Sequence, residues 1–96
     1  MERDPRPEVV VAFPAVLRRH VDCPPMAARG RTVREAVDDA FARRPDLRGY
    51  LLDDQGGLRR HVALFVDGRQ VRDRTGLADP VQAGARLEFF QALSGG

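Results

Sequence analysis

The chain has 96 residues, 43% of them apolar and 31% charged, which describes one small soluble domain: at this length only about 60–65% of the unfolded surface can be buried, enough for a single core. No stretch approaches the roughly 18 consecutive apolar residues of a membrane span, and the opening Met1-Glu2-Arg3-Asp4-Pro5-Arg6-Pro7 lacks the apolar run of a secretory signal, so a cytoplasmic protein without a membrane partner is expected. Sixteen cations face 14 acids, and the Arg-Arg pairs at 18/19, 43/44 and 59/60 alternate with Asp22, Asp38, Asp39, Asp53 and Asp54, which argues against a nucleic-acid footprint. All 16 cations are arginine. A lone cysteine, Cys23, excludes an internal disulfide and cannot by itself build a zinc site.

Residues 1–7 alternate charge with proline and are expected to form a disordered leader. The β-branched run from Glu8 to Phe13, closed by Pro14, predicts a first strand, although Val9, Val10 and Val11 leave its inward parity open. Pro14 to His20 reads as a loop or irregular strand extension. Pro24 and Pro25 confine any strand in Cys23 to Arg29 to a short one at a sheet edge.

Thr32-Val33-Arg34-Glu35 fits a capping box, and Val33, Ala36, Val37, Ala40 and Phe41 then fall on one helical stripe with Arg34, Glu35, Asp38, Asp39 and Arg43 facing water. Pro45 stops that helix, and Leu47, Tyr50 and Leu51 predict a second short helical turn before the Asp54-Gln55-Gly56-Gly57 break. Leu58 to Val66 alternates with Val62, Leu64 and Val66 on one side. Asp67-Gly68 follows as a two-residue hairpin turn leading into Arg69-Gln70-Val71. After the turn-rich stretch from Thr75 to Gly84, Arg86 to Phe90 forms a last strand with Leu87 and Phe89 inward and Arg86, Glu88 and Phe90 outward. Five strands and one main helix pack most economically as a single sheet with the helix across one face.

The sequence closes on Gln91-Ala92-Leu93-Ser94-Gly95-Gly96. Diglycine can enter a narrow channel and adopt backbone angles closed to other residues, and no Cβ crowds attack on its carbonyl. Order of elements and tail together resemble the ubiquitin-like β-grasp sulfur carriers of the MoaD/ThiS family, most specifically over Leu87-Glu88-Phe89-Phe90-Gln91-Ala92-Leu93-Ser94-Gly95-Gly96. Members often carry proline where Gln91 stands and another residue at Ser94. The resemblance implies an α+β β-grasp fold, a five-stranded mixed sheet with one main helix across one face, over residues 8–90, with 91–96 as a flexible tail. It implies a carrier that is not itself an enzyme and binds no cofactor. A ThiF/MoeB-like activating enzyme would consume ATP to adenylate the Gly96 carboxylate, and a sulfur donor would convert it to a thiocarboxylate, with Gly95, Ser94 and Leu93 threading the partner's site. Pro14-Ala15-Val16-Leu17-Arg18, Val66-Asp67-Gly68, Val71-Arg72 and Gly76-Leu77 resemble carriers that serve cysteine synthases; a molybdopterin-synthase small subunit, or a ubiquitin-like interaction module with an unreactive tail, are the alternatives.

Phe65 and Phe90 lie on outward parities, and the resemblance sets Phe13 beside Phe90 on the uncovered sheet face, so these three rings are the expected partner-binding anchors unless the loop from Pro14 to Arg29 covers them. Cys23 reads as a bystander beside two prolines, and His20 and His61, flanked by arginines, read as solvated. Asp38-Asp39 and Asp53-Asp54 read as solvated faces, because adjacent helical residues diverge by about 100° and cannot converge on one ion.

Overall fold

The computed structural model describes residues 3–91, in the order β1 (Glu8–Ala12), α1 (Ala15–Arg18), β2 (Met26–Arg29), α2 (Val33–Arg43), α3 (Pro45–Leu51), β3 (Val62–Val66), β4 (Arg69–Gln70) and β5 (Arg86–Gln91). The strands make one mixed sheet ordered β2-β1-β5-β3-β4, in which β5 runs parallel to β1 and antiparallel to β3. This is the β-grasp arrangement expected from the sequence, with the short β2 at an edge and Pro24 and Pro25 lying just before it.

The main helix follows from its apolar stripe: Val33, Ala36, Val37, Ala40 and Phe41 are all buried against the sheet. At its start the Thr32 hydroxyl accepts from the Glu35 amide at 3.2 Å, whereas the Glu35 carboxylate accepts from the Arg31 amide at 2.8 Å, so the box closes one residue upstream of the cap. The first free helix amides, Val33 and Arg34, donate to the carbonyls of Asp79 and Leu77 at 2.9 and 2.8 Å, which docks the 77–79 loop onto the helix end. Gly30 is required where β2 passes this end, because a Cβ there would stand 2.3 Å from the Ala36 nitrogen.

Several polar positions do more than face water. Arg34 reaches from α2 to the carbonyls of Gly56, Thr75 and Gly76 and clasps two loops to the helix. Asp53 accepts from the amides of Gln55 and Gly57 and shapes the turn after α3. Asp39 and Arg43, an ion pair at 3.0 Å, take the outward Arg29 amide (2.8 Å) and Ala27 carbonyl (2.6 Å) of β2, supplying the bonds that a neighbouring strand would supply.

One segment differs from expectation. Ala15–Arg18 is a helical turn rather than a loop or strand extension: Pro14, extended at φ −62° and ψ 144°, presents its carbonyl to the amides of Leu17 and Arg18, and Leu17 enters the core. Residues 4–7 bond to one another and to the end of β2. Arg6 pairs with Asp4 at 2.7 Å, Gly30 donates to the Pro7 carbonyl at 3.1 Å, and the Arg29 guanidinium donates to the Arg6 carbonyl at 2.9 Å. That pairing holds the Asp4 carboxyl well below the usual carboxylate range. Pro45 both ends α2 and opens α3, since a first helical residue needs no amide hydrogen.

The core centres on three rings. Phe13 stacks parallel to Phe89 with centroids 6.2 Å apart, and Phe41 tilts against both at 6.4 and 6.1 Å. Phe13 is 4% exposed, which corrects its expected place on the open face. The reason is parity: Val9 and Val11 point inward, and Phe13 continues their alternation beyond the strand's end.

Candidate functional site

The face of the sheet opposite α2 carries the outward residues of β3 and β5. Ala63 faces Phe90 and Phe65 faces Glu88 across the β3–β5 pair, so Phe65 and Phe90 are diagonal neighbours on one side. Their rings meet edge to face at 5.4 Å and 87°, a geometry that aligns the positive rim of one ring with the negative face of the other. Phe90 remains 49% exposed and Phe65 half-buried, so the Pro14–Arg29 loop does not cover them. With Gly68 and Glu88 they line a shallow apolar groove of about 290 Å³.

Gly68 and Glu88 join the site from positions that the sequence marks only as a turn glycine and an outward charge. The hairpin turn sets Gly68: Asp67 and Gly68 have φ of 48° and 84°, the left-handed pair of a tight hairpin, so Gly68 is needed for its angle and not for space. Asp67 further ties the turn to β5, its carboxylate and backbone amide bonding the amide and carbonyl of Arg86, both at 2.9 Å. Glu88 sits on the open parity beside Arg86, paired at 3.4 Å and partly exposed, a contact worth at most about 1 kcal/mol. Outward parity was the signal for both Glu88 and Phe90, but a charged residue there looks ordinary until the groove beside it is seen.

β5 lies at the centre of the sheet between β1 and β3, and Gln91, opposite Val62, is the last residue described. Gln91 therefore belongs to the strand and not to the tail, while Leu93, Ser94, Gly95 and Gly96 lie outside the described residues. The groove and the segment leading to the tail thus share one strand.

The other candidates do not converge. Cys23 is buried, and burial pushes its thiol up, which leaves a poor nucleophile. His20 and His61 are exposed. Among the described residues no three of His, Cys, Asp and Glu gather as a metal-binding group, and no helix is long and apolar enough to cross a membrane.

Among curated proteins none matches. A chain in the crystal structure of the BexX/CysO complex of Amycolatopsis orientalis is similar at 31% identity and a TM-score of 0.76, over 92% of this chain and 99% of that one. CysO of Mycobacterium tuberculosis, described as an antigen, is 28% identical with a TM-score of 0.74, over 88% and 99%. The small archaeal modifier protein SAMP1 of Haloferax volcanii, at 23% identity and a TM-score of 0.77 over 93% and 99%, shares the fold. The ThiS family model matches residues 11–96, from the first strand through the final diglycine, and the chain belongs to the ThiS family of ubiquitin-like sulfur carriers.

Proposed function

We propose that this protein carries sulfur as a thiocarboxylate on Gly96. The observation that supports this most is the extent of the family match, which runs on through Leu93, Ser94, Gly95 and Gly96 to residue 96. A carboxylate is a poor electrophile. A ThiF/MoeB-like enzyme would supply the leaving group: a Gly96 carboxylate oxygen attacks the α-phosphorus of ATP, pyrophosphate departs, and the acyl-adenylate forms. Sulfur from a cysteine desulfurase or rhodanese-like donor then attacks the carbonyl carbon and AMP leaves. Where the donor is a persulfide, a thiol reductant cleaves the resulting acyl disulfide to the thiocarboxylate. Gly95 gives clearance beside the reacting carbonyl.

The activating enzyme would dock on the open face, with Phe65 and Phe90 as anchors and Glu88 and Gly68 beside them. A clustered pair of rings, one exposed and one half-buried, is the kind of feature on which interface energy concentrates, whereas a threading tail loses conformational entropy. Phe13 has no part in this surface. The acceptor is a cysteine synthase-like enzyme in this reading, since two of the similar chains are CysO proteins; one of them is in complex with BexX, which supports a partner-bound working state.

Co-expression with a ThiF/MoeB-like enzyme and intact-mass spectrometry test the proposal. An oxygen-to-sulfur increment localised to Gly96 is the expected result. With active partner enzyme, the absence of both that increment and an acyl-adenylate leaves an interaction module with an unreactive tail.

A further inference from the structure

The two edges of the sheet are treated differently by the fold. On β2 the outward Ala27 carbonyl and Arg29 amide are taken by the Asp39–Arg43 pair, which closes that edge to a further strand. At the opposite edge, the Val71 amide donates inward to the Leu64 carbonyl at 2.9 Å, so by the alternation of an antiparallel ladder the Gln70 amide and carbonyl point away from β3. Beyond it the outward Arg72 amide is taken by the Asp79 carboxylate at 2.8 Å. Among the described residues no side chain caps Gln70.

That open position borders a groove of about 890 Å³ between the β3–β4 hairpin and the 78–85 segment, with Val66, Val81 and Ala85 as apolar walls. Arg69 and Arg72 also line it. Neither guanidinium lies in an ion pair among the described residues. The nearby carboxylates of Asp67 and Asp79 are occupied by the amides of Arg86, Arg72 and Asp73. We infer that the β4 edge is a docking site for an extended acidic segment of a partner protein, which adds as a strand against Gln70 and pairs its carboxylates with Arg69 and Arg72. Main-chain bonds supply the strand addition, and the two arginines select for charge. The site lies at the Asp67–Gly68 end of the sheet, whereas Gln91 lies at the Val62 end, about 13 Å away at the usual rise per residue.

The test uses the full chain, without any activating enzyme, so its result is independent of sulfur loading. A capped heptapeptide of alternating valine and glutamate is titrated against the isotope-labelled protein and followed by amide NMR, with a valine–lysine peptide as counterpart. The expected result is saturable movement of the Gln70 and Arg72 amide signals with the acidic peptide only. Arg69→Glu and Arg72→Glu should each weaken binding by about tenfold, and the double variant should accept the lysine peptide. Gln70→Pro, which removes the outward amide donor and keeps the outward carbonyl, should lose most of the binding while the remaining signals keep their dispersion. The inference is overturned by a lack of saturable binding, by equal binding of both peptides, or by shifts centred on Phe65 and Phe90. It is equally overturned if a single-stranded oligonucleotide competes fully while the Gln70 amide stays still, which would make the arginines a plain charge patch.

Discussion

Phe89 and Phe90 are chemically identical neighbours on one strand, and they do opposite work. Phe89 points into the core and stacks on Phe13 and Phe41. Phe90 points out and meets only Phe65 edge to face among the aromatic rings. The period of two in a strand separates them: one step along the backbone changes a core ring into an exposed one. The same division holds for the other rings, since Phe13 and Phe41 join the inner set and Phe65 the outer.

The sharpest way to test this division leaves both faces intact. Deleting Gly95 and Gly96 should abolish sulfur loading while thermal unfolding stays unchanged and affinity for a ThiF/MoeB-like enzyme, read by calorimetric titration, falls less than in Phe90→Ala. Should the deletion cost more affinity than Phe90→Ala, the tail and not the open face dominates recognition.

On the inner face, Phe13→Ala removes a fully packed ring and should cost about 3–5 kcal/mol in denaturant unfolding, a large share of what a domain of this size has. On the outer face, Phe90→Ala should change stability by well under that and instead weaken the complex with the activating enzyme by about 1–3 kcal/mol. If Phe13→Ala unfolds the protein no more readily than Phe90→Ala, the assignment of the two faces is wrong.

Much of this arrangement is readable from sequence because local signals agree with the fold. The stripe of α2, the Asp67-Gly68 turn and the alternation of Leu87 to Phe90 each specify one answer. Three consecutive valines hide the parity of β1 and with it the side on which Phe13 falls; with Val9 and Val11 inward, Phe13 must follow. The short α1 leaves no mark in the sequence, because a single helical turn has no period to detect and depends on the Pro14 carbonyl and the burial of Leu17. The roles of Arg34, Asp39 and Asp53 depend on partners distant in sequence or on turn geometry, which charge patterning alone does not show.

The arginine-only cation set predicts a smaller, qualitative effect. If the activated carboxyl is offered to amines, this chain can be joined to another protein, but none of its 96 residues presents a lysine to receive a second copy. Mass spectrometry of reaction products should find no isopeptide-linked homopolymer.

The smallest effect separates the loops from both faces of the sheet. The Asp73 carboxylate accepts from the amides of Gly76 and Ala78, and from Thr75, and these bonds lower its pKa in the folded state. The folded protein therefore binds fewer protons than the unfolded chain as acid is added. The stabilisation is complete above the ordinary aspartate value of about 3.9 and is lost as pH falls from there through the lowered folded value. Asp73→Asn should flatten the acid limb of the stability curve in this window: its cost is fully present near neutral pH, where the ionised carboxylate holds its bonds, and shrinks as acid removes that stabilisation from the unsubstituted protein, the amide oxygen still accepting one of the bonds throughout. This loop is anchored to α2 through the Leu77 carbonyl and lies away from the Phe65–Phe90 groove, so binding through the open face should be unchanged by the substitution at pH 7. A loss of that binding in Asp73→Asn would mean that the loop and the open face are coupled, and that the two faces of the sheet are less independent than their side chains suggest.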